Sequence, residues 1–127
     1  YVPIAFKVAP DLADDHIDAL AEVFRAGGLD ALVATNTTLS RAEVEGNPLH
    51  AQAGGLSGPP VKDLSTQVIR RFSSQLGSSI PIIGVGGISS VADAEEKIRA
   101  GASLLQIYTS FIYQGPALVQ KLLNKIG

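Results

Sequence analysis

An α/β fold of parallel strands joined by crossover helices, four units that make up half of an eight-fold barrel, is the architecture this sequence predicts. Three observations predict it. Short apolar runs alternate with helical stripes four times over in 127 residues, the pattern that gives parallel strands and right-handed crossovers. Each apolar run delivers polar or glycine residues at its C-terminal end: Lys7, Thr35-Asn36-Thr37, Gly86-Gly87 and Tyr108-Thr109. In a barrel these ends converge on one mouth, whereas in an open doubly wound sheet they spread along an edge. The last two strands also carry a double glycine and a Thr-Ser leading into a short segment, which matches the phosphate site that such barrels build after strands seven and eight. The units are therefore expected to be about strands five to eight, the C-terminal half of a TIM (β/α)8 barrel, as a single unit over residues 1–127.

The elements follow in order. Ile4 to Val8 is an apolar run interrupted only by Lys7 and reads as a buried strand. Ile17, Leu20, Ala21 and Phe24 repeat at helical spacing, Asp11 is the expected N-cap, and Gly27-Gly28 stops the helix. Ala31–Ala34 is the second strand and runs directly into Thr35-Asn36-Thr37-Thr38. From Leu39 to Gly58 no periodicity holds, and a structureless stretch of that length in a compact domain points to a functional loop or lid. Pro59-Pro60 suit a helix start, and Val61, Leu64, Val68, Phe72 and Leu76 mark the buried stripe of a helix that Gly77 closes. Ile82–Val85 is the third strand and breaks into Gly86-Gly87. Ser90 with Asp93 fits a capping-box variant, Asp93 to Lys97 and Glu95 to Arg99 read as favourable i,i+4 pairs, the run Asp93 to Glu96 reads as a solvated face, and Gly101 ends that helix. Leu104–Ile107 is the fourth strand, followed by the short Phe111–Tyr113 segment and a last helix with Leu118, Leu122 and Ile126 on one face.

Composition narrows the function classes. With 46% hydrophobic and 17% charged residues the chain has the makings of a core, and a net charge of -2 with dispersed Lys and Arg gives no nucleic-acid footprint. The absence of cysteine excludes disulfides, thiol catalysis and Cys-ligated metal, and His16 and His50 have no ligand spacing, so no metal is expected. No apolar run approaches the length of a membrane helix. The chain has no methionine and begins at Tyr1 on the approach to a strand, which is read as a piece of a longer polypeptide.

Strand, tight glycine turn and helix start over Pro81–Ser90 suit a phosphate, because exposed backbone N–H groups converge there. Gly84-Val-Gly86-Gly-Ile-Ser89 misses the dinucleotide fingerprint at its third glycine, and no carboxylate stands about twenty residues on, so NAD is disfavoured. Lys7 is either a lysine reaching a ligand inside the barrel or a strand-end lysine reaching solvent. Asn36 and Thr37 suit a planar polar ring or a carboxylate, and equally an ordinary turn.

Five motifs in register carry a resemblance that covers essentially the whole chain. Phe6-Lys-Val-Ala-Pro-Asp11, Ala34-Thr-Asn-Thr-Thr38, Gly54-Gly-Leu-Ser-Gly58, Ile82-Ile-Gly-Val-Gly-Gly-Ile88 and Ile98-Arg-Ala-Gly-Ala102 with Gln106-Ile-Tyr-Thr109 resemble the C-terminal half of dihydroorotate dehydrogenase. The Asn-Thr-Thr and Gly-Gly-Leu-Ser-Gly variants look like the quinone-dependent class 2. The resemblance implies an FMN-containing barrel that oxidises dihydroorotate to orotate in pyrimidine biosynthesis and passes electrons to quinone. By position, Lys7 and Thr35 resemble contacts to the isoalloxazine, Asn36 and Thr37 binders of the substrate's pyrimidine ring, and Gly58, Gly87, Tyr108 and Thr109 the backbone set around the FMN phosphate. It further implies that the catalytic serine, other substrate-binding asparagines and the helices that meet quinone and membrane lie upstream of Tyr1, so the chain alone is expected to be inactive. The location implied is peripheral, on the cytoplasmic face of a bacterial inner membrane or on the mitochondrial inner membrane. Two other readings stay open: a non-catalytic half-barrel that acts as an assembly module, and another phosphate-binding barrel enzyme.

Overall fold

The computed structural model describes residues 1–126. Strands β1 (Ala5–Val8), β2 (Ala31–Ala34), β3 (Ile82–Val85) and β4 (Leu104–Gln106) alternate with helices α1 (Asp14–Gly27), α2 (Lys62–Leu76) and α3 (Val91–Arg99), and the short α4 (Thr109–Gln114) and α5 (Pro116–Ile126) follow β4. All strand pairs are parallel, in the order β1-β2-β3-β4. A doubly wound sheet reverses its strand order at a switch point, and this order does not reverse. Right-handed crossovers then place successive helices on one face of the sheet. Accordingly α1 packs on α2, α2 on α3, and α3 on α5. The half-barrel expectation holds, and the open-sheet alternative does not.

Register decides which side chains face the helices. Val8, Ala34, Gly84 and Leu105 lie opposite one another on successive strands, and Val8, Ala34 and Gly84 are buried beneath the helices. One residue earlier, the row Lys7, Val33, Ile83 and Leu104 points to the helix-free face, where Leu104 is 62% exposed. The main core lies between α1, α2 and the covered face, built on Ile17, Phe24, Leu32, Ile69, Phe72 and Ile82. Phe24 meets Phe6 and Phe72 in tilted ring pairs with centroids 5.2 Å and 6.1 Å away, and the fully buried Phe72 contributes about 1.5–3 kcal/mol. A second cluster of Ile88, Ala94, Leu118 and Leu122 seats α5 against α3.

Local chemistry explains the element ends. Gly28, at φ 65°, returns its amide to the carbonyls of Arg25 and Phe24 and closes α1. Ser90 Oγ accepts from the Asp93 amide while the Asp93 carboxylate accepts from Ser89 and Ser90, so the expected capping box at α3 is present.

Three expectations are corrected. Asp11 does not cap α1; Ala13 occupies that position without a side-chain bond, and the Asp11 carboxylate instead accepts from the Thr38 hydroxyl and the Leu39 amide. β1 is not a buried strand: only Val8 is buried, because the strand lies at the sheet edge with a bare inner face, so Lys7 meets no desolvation cost there. The expected Asp93–Lys97 pair on α3 does not form. Lys97 is fully buried (0% exposed) and, among the described residues, pairs with no carboxylate.

Candidate functional site

Because all four strands are parallel, the polar residues that follow them collect at one edge of the sheet. Lys7, on the helix-free face of β1, extends its ammonium to Gln106 Oε1 at the end of β4, 3.5 Å away. Two side chains from opposite edges of the sheet meet only if both occupy the same face. The structure thus places the exposed Lys7 side chain over the helix-free face of the sheet.

At the end of β2 the Asn36 amide N–H donates to the Val8 carbonyl at 2.7 Å, and Asn36 Oδ1 accepts from the Thr37 amide at 3.0 Å. Its side-chain NH2 is left exposed to offer two donors. Thr37 is half-buried against Gly55, where a Cβ would stand only 1.8 Å from Thr37 Oγ1. Thr35 is 1% exposed, and its hydroxyl donates to the Asn36 carbonyl at 2.9 Å. It offers no free surface to a ring and supports the Asn36 backbone from below.

The β3 turn is packed so that only glycine fits. Gly86 and Gly87 have φ of 122° and 69°, in the left-handed half of conformational space. A Cβ on Gly87 would lie 2.7 Å from Lys62 Cα and 2.8 Å from Lys62 N, so the turn rests directly on the first residue of α2. A concavity of about 50 Å³ opens between Ser57-Gly58, Gly86-Gly87 and Tyr108-Thr109, with no carboxylate in its lining. Among the described residues, the amides of Gly58, Gly86 and Gly87 donate to no other protein group. Four of the expected residues are therefore brought together, Gly58, Gly87, Tyr108 and Thr109. Lys7, Asn36 and Thr37 stand on the same edge, outside that concavity.

Behind the turn lies a polar cluster that the sequence reading did not single out. Ser65 Oγ donates to the Val85 carbonyl at 2.7 Å. The Lys97 ammonium donates to the Lys62 carbonyl at 2.7 Å, Ser65 Oγ at 2.9 Å and Thr66 Oγ1 at 2.6 Å. Burial lowers the Lys97 pKa to about 8. Outside this cluster, Lys62 Nζ stands 3.6–3.8 Å from Asp63, Asp93 and Glu96, whose charges raise its pKa, Asp63 most. Burial opposes ionisation of Asp93, but the Ser90 hydroxyl, the Ser89 amide and hydroxyl and the Lys62 charge together hold its carboxyl below the usual range. The signal for this cluster was the pair Ser65-Thr66, two hydroxyls in the middle of an apolar stripe. The long loop before α2 is likewise organised: a 3-10 turn over Ala42–Val44, a Thr38–Leu56 bridge, and the Arg41 guanidinium donating to the carbonyls of Thr38, Leu39, Ser40, His50, Gln52 and Gly54. No metal-holding group of His, Cys, Asp and Glu occurs among the described residues.

A sequential parallel sheet, helices on one face only, and strand ends that converge on a single site define a β/α-barrel protein of which four strands are present. The chain belongs to the dihydroorotate dehydrogenase family: the family model described as Dihydroorotate dehydrogenase matches residues 1–127. It is 59% identical over 121 residues to the dihydroorotate dehydrogenase (quinone) of Akkermansia muciniphila, covering 95% of this chain and 35% of that protein. The enzyme of the same name from Chromobacterium violaceum is 57% identical over 119 residues, covering 94% and 35%. Among solved structures, the Eimeria tenella enzyme in complex with ferulenol superposes with a TM-score of 0.90 at 38% identity, over 96% of this chain and 32% of that one. The ligand-free form from the same organism gives 0.91 at 39% identity, over 98% and 35%. The chain spans about a third of the length of the curated relatives it matches. The reading as an unrelated phosphate-binding barrel enzyme is set aside by this membership.

Proposed function

We propose that this chain is the C-terminal, cofactor- and substrate-holding part of the catalytic domain of a quinone-dependent dihydroorotate dehydrogenase, which oxidises dihydroorotate to orotate in the synthesis of UMP. The observation that carries the reading is the convergence of Gly58, Gly87, Tyr108 and Thr109 on one carboxylate-free concavity at the strand edge that also carries Lys7 and Asn36. The concavity fits the phosphate end of FMN. Its walls are glycines into which no Cβ fits without strain, and the backbone amides there are unengaged. When bound, FMN supplies the two-electron acceptor for the oxidation and the route onward to quinone.

The chain's own residues then have distinct tasks. Gly58, Gly87, Tyr108 and Thr109 hold the phosphate. Lys7 brings a positive charge to the inner face, where it stabilises negative charge on a flavin ring, and Thr35 acts by fixing the Asn36 backbone beneath that ring. Asn36 and Thr37 bind the pyrimidine ring of dihydroorotate through the amide NH2 and the hydroxyl. Oxidation removes a hydride and a proton from the substrate. The proton passes to a base outside the described residues, a serine by the resemblance to class 2, and the elements that meet quinone and a membrane surface are likewise assigned outside them. Among the described residues no helix is long and apolar enough to cross a membrane. By its likeness to the quinone-dependent relatives, the protein is read as peripheral to the inner membrane of a bacterium or mitochondrion.

The test uses the full-length protein that carries this chain. Purified protein is expected to contain FMN and to reduce a dye when given dihydroorotate. Lys7→Ala is expected to lose flavin or to slow its reduction by about 100-fold, the order of effect seen when a group acting on developing charge is removed. Unchanged flavin content together with unchanged reduction rate would remove Lys7 from the site.

A further inference from the structure

Lys97 is fully buried, carries three donors and makes three bonds, to the Lys62 carbonyl, Ser65 Oγ and Thr66 Oγ1. A charge placed there is costly unless every donor is used, and here each one is. The consequence lies in the hydroxyls. An ammonium has no lone pair, so Ser65 Oγ and Thr66 Oγ1 must accept from it and must spend their own protons elsewhere. Thr66 donates to the Lys62 carbonyl at 2.9 Å, and Ser65 donates to the Val85 carbonyl at 2.7 Å. Val85 is the last residue of β3, and the next two are Gly86 and Gly87, with Gly87 seated on the backbone of Lys62. Both ends of this contact, the Lys62 carbonyl and the Val85 carbonyl, are thus tied to a single ammonium.

We propose that Lys97 is a positioning residue for the Gly86-Gly87 turn: by fixing the direction of the Ser65 hydroxyl it clamps the end of β3 to the first turn of α2 and holds the phosphate-binding amides in place. This rests on the reading that FMN phosphate occupies the turn. Lys97 acts through Ser65 and touches neither flavin nor substrate. The concavity is lined by Val85, Gly86 and Gly87 but not by Lys97.

The discriminating measurement is affinity for FMN against riboflavin, which lacks only the phosphate, followed by fluorescence quenching in the flavin-free full-length protein. Lys97→Met keeps the length of the side chain and removes the ammonium, and Ser65→Ala removes one hydroxyl. Each is expected to weaken FMN by about 10-fold while riboflavin stays within about twofold, and the double variant is expected to be no weaker than the more affected single one, as for two residues acting through one bond. With FMN bound, exchange of the Gly86 and Gly87 amides is expected to be faster in both variants than in the wild type. Retention of the FMN preference in Lys97→Met and Ser65→Ala, with its loss in Gly87→Ala, would overturn the role of Lys97 and leave the phosphate reading intact. Retention in all three, Gly87→Ala included, would overturn both. If Lys97→Met does not fold, Ser65→Ala decides by the same outcomes.

Discussion

Gly55 carries no side chain because Thr37 occupies the space where one would be, 1.8 Å from a built Cβ to the threonine oxygen. The backbone of Gly55 is not in the left-handed region, so an alanine there is not strained in itself and its effect falls on Thr37. In the full-length protein, Gly55→Ala is expected to raise the KM for dihydroorotate by about fivefold, as for loss of a hydrogen bond worth about 1 kcal/mol, with FMN content unchanged. A KM within experimental error of wild type would remove Thr37 from the substrate site. Asp93 offers a second test at this scale. Its carboxyl titrates below its ordinary 3.8 in the folded chain, so the stability it contributes is complete above that value and is lost as the pH falls through the lowered one. Asp93→Asn is expected to cost about 1 kcal/mol near neutral pH, the usual scale for a helix cap, and to converge on wild type in acid. Denaturant titrations at several pH values check this, and a pH-independent gap would contradict it. The capping box was legible in the sequence because Ser90 and Asp93 are local partners. The neighbouring Asp93–Lys97 pair was misread for the same reason. Spacing says that two charges can meet, but not that burial against Ser65 and Thr66, some thirty residues away, offers the lysine something better.

At the scale of elements, the loop from Leu39 to Gly58 shows how one side chain substitutes for secondary structure. Its carbonyls converge on Arg41, which has five N–H donors and no acceptor. These carbonyls are near solvent and can rehydrate when the guanidinium is removed, so Arg41→Ala is expected to change global stability by under about 1 kcal/mol. The loop itself should open: proteolytic cleavage between residues 39 and 58 is expected to accelerate by about 10-fold, the effect of a loss of about 1.4 kcal/mol in local opening. Equal cleavage rates would show that the Thr38–Leu56 bridge alone holds the loop. The sequence marked this stretch as functional by its length and glycines, yet it could not show the staple, because no periodicity identifies an arginine whose partners are carbonyls. Helices were read more reliably than strands. The stripes of α1 and α2 are intrinsic to their spacing, with Ile17, Ala21, Phe24, Val68, Phe72 and Leu76 all buried. The burial of a four-residue strand depends on what covers it, and β1 turned out to be an edge.

For the whole molecule, the same sequential order that identifies a half-barrel leaves it incomplete. Among the described residues no strand pairs with the outer edge of β1 or of β4, and the inner face presents Leu104 with the half-buried Val33 and Ile83. A groove of about 320 Å³ beside β4, lined by Ile98, Leu104, Val119, Leu123 and others, adds apolar area at that edge. Open edges and exposed apolar faces favour pairing with another chain. On its own this polypeptide is therefore expected to sediment as a dimer or larger species at micromolar concentration and to show no dihydroorotate-dependent dye reduction. Coexpression with the other half of the barrel should give a one-to-one complex that binds FMN, because the remaining strands would cover both edges and the inner face together. Sedimentation velocity and flavin absorbance measure the two outcomes. A monodisperse monomer of the isolated chain would show that its bare face is tolerated in water. Dye reduction by that monomer would place the base within these 127 residues and overturn the division of labour proposed for the two parts of the barrel.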